Sequence, residues 1–161
     1  MWVTLATWVG EMPGTCTFAQ TCGGNSVIEH NGDLYPCDHF VYKDYLLGNI
    51  TEKPIAEMMS SDKQTAFGID KRNKLPTKCL RCEWLFACNG ECPKHRFNTY
   101  ESHQSGRGGV RFETGLNALC DGYKMFFSHV APYMDYMKDL LSRKMSPAYV
   151  IPWARTNSRR I

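Results

Sequence analysis

No run in this 161-residue chain approaches the ~18 consecutive apolar residues of a membrane span, which excludes a helical membrane protein. The first ten residues, MWVTLATWVG, carry no Lys or Arg ahead of their apolar part and are too short for a signal peptide. The chain is therefore expected to stay in the reducing cytoplasm. Charge of one sign is also lacking: 19 Lys and Arg stand against 16 Asp and Glu, so nothing calls for a nucleic-acid surface, and Arg155, Arg159 and Arg160 read as a solvated tail. Internal repeats and low-complexity blocks are absent. Apolar residues are scarce between Thr15 and Lys94, a stretch full of Cys, Gly, Asn, Asp and Lys. Ordering each residue there costs about 1–2 kcal/mol of backbone entropy, more than so few apolar side chains can offset. A cross-link, by metal or disulfide, has to stand in for the missing core.

Cysteine is what the chain has in quantity. Cys16, Cys22, Cys37, Cys79, Cys82, Cys88, Cys92 and Cys120 include the tight run Cys-x2-Cys-x5-Cys-x3-Cys. Eight is twice four, and a soft four-thiolate site suits a structural zinc or an iron–sulfur cluster, so the count allows two fully ligated metal centres. Four disulfides are the competing use, and the reducing compartment argues against them. Eight thiolates would also outweigh the formal charge of +3.

Local patterning places these cysteines on an α+β frame. Ser26 to Cys37, SVIEHNGDLYPC, reads as a small β-hairpin turning at Asn31-Gly32, with Cys22 entering and Cys37 leaving it. A helix follows, with Thr51 as N-cap, Pro54 in the first turn and Ile55, Met58 and Met59 on one face. Asp62 starts a second short helix that fades through Lys71 and Arg72. Leu75 to Lys94 is a cysteine-rich knuckle, and Phe97 to Thr114 a polar, mobile loop with Gly106, Gly108 and Gly109. From Leu116 a helix carries Leu119, Tyr123, Phe126, Phe127 and Val130. A break at Pro132 is expected, after which Tyr133, Tyr136, Met137, Leu140 and Leu141 continue the stripe as the second of two closing helices.

Taken in order, Cys22, nine residues, Gly32, four residues, Cys37, then the Cys79–Cys92 run and Cys120 resemble the SPASM domain, the auxiliary iron–sulfur domain at the C-terminal end of many radical SAM enzymes. Cys16 supplies the eighth ligand. Cys16-x5-Cys22, the segment NSVIEHNGDLYPCDHFV, the Leu47-Gly48-Asn49-Ile50 turn and the CNGECPK run at Cys88 are similar to anaerobic sulfatase-maturating enzymes, which oxidise a Cys or Ser of a client sulfatase to formylglycine. The resemblance implies one 4Fe-4S cluster on Cys16, Cys22, Cys37 and Cys92 and a second on Cys79, Cys82, Cys88 and Cys120, interleaved as in two-cluster ferredoxins. It also implies that Asp38 removes a proton from the client residue, although spacing alone reads Asp38 as a turn cap. The 27 residues between Cys92 and Cys120 are long for the family. His95 and His103 are the alternative ligands in that gap, but Cys120 opens an amphipathic helix that ligation would anchor.

The Cys-x3-Cys-x2-Cys loop that binds S-adenosylmethionine through a third 4Fe-4S cluster is missing, as is the alternating strand–helix pattern of a radical SAM barrel. The expectation is therefore the C-terminal third of a radical SAM oxidoreductase, inactive alone, with the barrel supplied in cis or from a split gene. Residues 1–15 would be a remnant of the barrel or its linker, 16–145 the twin-cluster domain and 146–161 a tail. Its expected contribution is electron transfer, a catalytic base and part of a client-peptide groove. The alternatives are a maturase of another peptide or a zinc-binding interaction module.

Overall fold

In the computed structural model, residues 2–103 and 110–157 are described, apart from the side chains of 102–112. The chain runs α1 (Trp2–Trp8), β1 (Val27–Ile28), β2 (Asp33–Tyr35), β3 (Gly48–Asn49), α2 (Ile55–Met59), α3 (Asp62–Asn73), α4 (Thr77–Leu80) and α5 (Leu85–Cys88). The hairpin β4 (Asn98–His103) and β5 (Val110–Leu116) comes next, then α6 (Cys120–Ser142) and α7 (Val150–Asn157). The mixture is α+β. No helix among the described residues is long and apolar enough to cross a membrane.

The apolar core lies where both ends of the chain meet. Leu5 and Trp8 of α1, Ala87 of α5, Phe127, Met134 and Met137 of α6 and Val150 at the start of α7 are buried together. Positions 127, 130, 134 and 137 recur at the three-and-four spacing that lays one helical stripe against a neighbour. Trp8 adds a polar tie, its indole N–H donating to Asp135 Oδ1 at 2.9 Å, and Trp153 of α7 stacks on Tyr136 with ring centroids 4.6 Å apart.

The expected break at Pro132 does not occur: α6 is one helix through the proline. An interior proline forfeits one backbone bond and costs about 3 kcal/mol. Burial of Phe127 before it and of Met134, Met137 and Leu140 after it, each worth roughly 1.5–3 kcal/mol, outweighs that cost. The helix starts at Cys120 rather than Leu116, which is the last residue of β5. Leu119 and Phe126, placed on the apolar stripe by periodicity, are instead exposed.

The early sheet has the order β1-β2-β3 and is antiparallel throughout. Val27 pairs with Tyr35 and Ile28 with Leu34. The turn is a three-residue loop, not a two-residue one: Gly32 N–H donates to Glu29 O at 2.9 Å, Glu29 N–H to Asp33 O at 2.9 Å, and of Asn31 and Gly32 only Gly32 has positive φ, at 89°. Asn49 fastens β3 to this loop, its Nδ2 donating to Asn31 O and Asp33 Oδ1, both at 3.0 Å. Its Oδ1 accepts from Thr51 N and Oγ1. Thr51 is thus spent on that turn, and Pro54 is the N-cap of α2.

Phe97 to Thr114 is largely a hairpin rather than a loop. β4 and β5 pair antiparallel from Asn98↔Leu116 to His103↔Val110, with Thr99, Tyr100, Val110, Phe112 and Thr114 supplying strand-forming residues. Gly106, Gly108 and Gly109, like Arg159 and Arg160, lie outside the described residues. Pairing of Asn98 with Leu116 brings the chain back to its starting point, and Ala118 N–H donates to His95 O at 2.9 Å. The long gap therefore does not separate Cys92 from Cys120.

Candidate metal centre

The cysteine-bearing segment 16–23 has little apolar content, and it is held by the polar face of α3. Ser61 caps that helix by accepting from Gln64 N–H at 3.3 Å. Gln64, Gly68 and Lys71 follow at i, i+4 and i+7, one helical face, and all three are buried. Gln64 Nε2 donates to Gly23 O at 2.7 Å, and Cys22 N–H donates to Gly68 O at 3.0 Å. A Cβ on Gly68 would stand 2.7 Å from Cys22 O, so only glycine lets Cys22 lie this close. The Lys71 ammonium donates to Cys16 O and, at 2.8 Å, to Thr17 O. Burial depresses its pKa, partly countered by the Cys22 thiol. Sequence reasoning missed this clamp, although a Gln-x3-Gly-x2-Lys spacing within a helix was its visible signal.

Cys88 and Cys92 stand at i and i+4, a spacing that in an unbroken helix would leave both on one face. The chain prevents this. α5 ends at Cys88, and Asn89, Gly90 and Glu91 all adopt positive φ, at 48°, 70° and 55°. Glycine takes that conformation freely and asparagine tolerates it, whereas for Glu91 it is strained. The strain is held by partners: buried Glu91 accepts through Oε2 from Asn117 Nδ2 and pairs with His95 Nδ1 at 2.8 Å. Arg96 donates to the carbonyls of Gly90, Asn89 and Glu91 at 2.8, 2.9 and 2.9 Å. Asn89 Nδ2 also reaches Phe18 O at 2.7 Å, tying this turn to the first cysteine segment. Asn117 Oδ1 accepts from Leu119 N–H at 2.7 Å, setting the entry into α6 that presents Cys120.

All eight cysteines are free thiols. Cys79, Cys82, Cys88 and Cys120 line one cavity, walled also by Trp84, Leu85, Leu116 and Phe127. Electrostatic influence between thiols sorts them the same way. Cys79 and Cys88 feel Cys120 and Cys82, and Cys120 feels Cys82. Cys22 and Cys92 both feel Cys16, and Cys92 acts on Cys22 and Cys37. Burial pushes the Cys37 and Cys88 thiols up to about 11, and raises Cys22, Cys79, Cys92 and Cys120 as well. Thiols so crowded and desolvated ionise only against strong local positive charge, which thiophilic metal ions supply. The donor set thus fits iron–sulfur ligation.

Asp38 lies at the rim of the Cys37 group, fully exposed, in the 3-10 turn Asp38–Phe40. Its Oδ1 accepts from Cys37 Sγ at 3.2 Å and from its neighbour His39 N–H at 3.1 Å. The thiol hydrogen bond is the main reason its pKa falls below the usual value. His39, not singled out from sequence, brings Nδ1 to 3.5 Å from Cys92 Sγ, and donor atoms of Cys37, Asp38 and His39 lie within 4.8 Å of one another. His95 is engaged by Glu91. The side chain of His103 lies outside the described residues.

Comparison with known proteins places this geometry in context. The family described as "SPASM: Iron-sulfur cluster-binding domain" matches residues 16–83. The chain is 49% identical over 158 residues to the serine-type anaerobic sulfatase-maturating enzyme of Bacteroides thetaiotaomicron, covering 98% of this chain and 36% of that protein. It is 30% identical over 118 residues to the cysteine-type enzyme of Clostridium perfringens, covering 73% and 29%. A solved structure described as native anSMEcpe with bound AdoMet and Cp18Cys peptide superposes with a TM-score of 0.66 at 26% identity, over 87% of this chain and 36% of that one. The chain spans about a third of the length of these curated relatives.

Proposed function

Given that this chain carries a SPASM iron–sulfur cluster-binding domain of the anaerobic sulfatase-maturating enzyme family, we propose that it is the auxiliary twin-cluster unit of a maturase that converts a client Cys or Ser to formylglycine. Cys16, Cys22, Cys37 and Cys92 would hold one 4Fe-4S cluster, and Cys79, Cys82, Cys88 and Cys120 the other. The observation that supports this reading best is the single cavity lined by Cys79, Cys82, Cys88 and Cys120, with Cys92 set off from Cys88 by three successive left-handed residues and influencing Cys22 and Cys37 instead. Such clusters, when bound, supply one-electron transfer.

Loss of a hydrogen from Cβ, of the hydroxyl or thiol proton and of one further electron turns a seryl side chain into the aldehyde directly and a cysteinyl one into a thioaldehyde, which water then hydrolyses to the aldehyde with release of hydrogen sulfide. The proton falls to this chain. Asp38 is an exposed carboxylate on a short turn, open to receive a client side chain's proton, and ligation of Cys37 would remove the thiol proton that now occupies its Oδ1. Phe40, two residues along the chain from Asp38, lines an open groove with Tyr45, Phe67, Thr114 and Gly115 that would receive part of the client peptide. Two structural relatives are described with bound peptides, which supports a peptide client.

The reaction would be initiated by a radical SAM barrel carrying S-adenosylmethionine and its own 4Fe-4S cluster, present in the same polypeptide or on a separate chain. The decisive test is twofold. The chain isolated without oxygen should absorb broadly at around 400 nm and contain about eight irons; a colourless, zinc-loaded chain would refute the cluster assignment. In the complete enzyme, Asp38→Asn should keep both clusters while slowing formylglycine production ~100-fold. Unchanged turnover at unchanged iron would reduce Asp38 to a cap of its own turn.

A further inference from the structure

Two cations, one buried and one partly exposed, lie between the segments that carry the thiol sets with no carboxylate paired to either. Lys71 is 1% exposed and Arg96 about half-buried. Arg96 Nη1 donates to Lys71 O at 2.6 Å, so the two residues are packed against one another. Among the described residues neither forms an ion pair, and their hydrogen bonds go to backbone carbonyls of Cys16, Thr17, Asn89, Gly90 and Glu91. Carbonyl dipoles do not neutralise an ion. Burying an uncompensated charge costs several kcal/mol, and two adjacent cations repel one another in addition.

The positions of those carbonyls identify the missing counter-charge. Arg96 grips the reversal between Cys88 of one set and Cys92 of the other, and Lys71 grips the backbone of Cys16. Cys79, Cys88, Cys22 and Cys92 all act on Arg96, whereas Lys71 is acted on by Cys22, Cys16 and Cys92. A four-thiolate cluster is net negative in either oxidation state and more so when reduced.

Resting on the cluster assignment above, we propose that Arg96 and Lys71 are built-in counter-charges that raise the reduction potentials of the clusters, Arg96 acting on both and Lys71 on the one held by Cys16, Cys22, Cys37 and Cys92. Each cluster accepts one electron with no bond made or broken, and a nearby fixed positive charge favours the state carrying it. At an effective dielectric constant of about 20, a unit charge changes an equilibrium more than tenfold out to roughly 10 Å. For a one-electron couple, tenfold corresponds to a shift of about 59 mV. Raised potentials would let these clusters take an electron from a weakly reducing organic donor.

The test is an anaerobic redox titration of the full chain with dithionite, followed by electron paramagnetic resonance, with iron content and melting measured alongside. Arg96→Gln should move both waves to more negative potential by at least about 59 mV. Arg96→Lys, which keeps the charge but not the forked hydrogen bonds, should lose melting temperature while holding its potentials closer to the parent. Lys71→Met should lower one wave and leave the other in place. If Arg96→Gln fails to load iron, the one-sided shift in Lys71→Met decides the issue. Parent-like potentials in iron-replete variants would make both residues purely architectural, leaving the cluster assignment intact. A parent chain without a redox-active cluster would overturn that assignment as well.

Discussion

Replacing Gly68 by alanine reverses the usual sign of a helix substitution. In an exposed helix interior the change stabilises by about 1 kcal/mol, because alanine has the better propensity. Here the new Cβ would sit 2.7 Å from Cys22 O, about 0.7 Å inside ordinary van der Waals contact. The obstructing atom is backbone, and Cys22 N–H holds the same residue against the helix through its 3.0 Å bond to Gly68 O. Overpacking costs roughly 1–3 kcal/mol and weakening that hydrogen bond about 1 kcal/mol. Net of propensity, Gly68→Ala should destabilise by about 1–3 kcal/mol, lowering the melting temperature by ~2–10 °C at this chain length. The damage should also be local: displacement of Cys22 should deplete iron from one set only, taking the content towards half. Gly122→Ala in α6 is the control, because its Cβ meets nothing within 4 Å, and it should stabilise by up to about 1 kcal/mol. Thermal melts and iron analysis on the two variants give the comparison. A Gly68→Ala chain as stable as Gly122→Ala, with full iron, would refute the clamp.

Other outcomes follow from the same geometry. Phe127, 2% exposed at the centre of the core, should cost about 3–5 kcal/mol when replaced by alanine, read by denaturant titration. Tyr100 ties β4 to α4, its hydroxyl donating to Glu113 Oε2 at 2.6 Å and accepting from Lys78 N–H at 3.0 Å, so Tyr100→Phe should cost about 1 kcal/mol. Burial, then the bond to Glu113, raises the Tyr100 pKa. Its contribution should be complete below the ordinary tyrosine value near 10 and lost as pH rises through the higher native one, a loss absent from Tyr100→Phe. Stripping metal anaerobically should accelerate hydrogen exchange across residues 16–23 and 77–92 far more than at residues 127–140; uniform protection in both states would show that the thiols need no metal to be held.

Much of this was legible in the primary structure, and the exceptions have physical causes. Gly32 with its flanking alternation announced the first hairpin, though the count of turn residues depended on Glu29 pairing with Asp33, which no local pattern reveals. Pro132 is a strong breaker locally, and only packing on both sides of it, supplied by residues more than a hundred positions away, decides that the helix continues. The hairpin of β4 and β5 was hidden because Gly106, Gly108 and Gly109 in the sequence between the two strands outweigh the strand-formers on either side in any local reading. The polar face of α3 was the least legible, since amphipathicity is sought in apolar residues and Gln64, Gly68 and Lys71 spell a buried face in polar ones.

Those last residues explain how a segment poor in apolar side chains is ordered at all. In the helical end of the molecule, order comes from area removed from water around Phe127 and Trp8, where shape can be adjusted and substitutions partly absorbed. In the cysteine-bearing end, order comes from backbone carbonyls gripped by cationic and amide side chains: Gly23 by Gln64, Cys16 and Thr17 by Lys71, Phe18 by Asn89, and residues 89–91 by Arg96. Hydrogen bonds of this kind are directional and fix the backbone from which each thiol projects. Apolar packing could place such a segment only approximately, whereas four thiols converging on one centre require a defined position for each. Scarcity of hydrophobic residues between Thr15 and Lys94 is then a consequence of what the region must position, and the cations that do the positioning bring the charge that a set of thiolates requires.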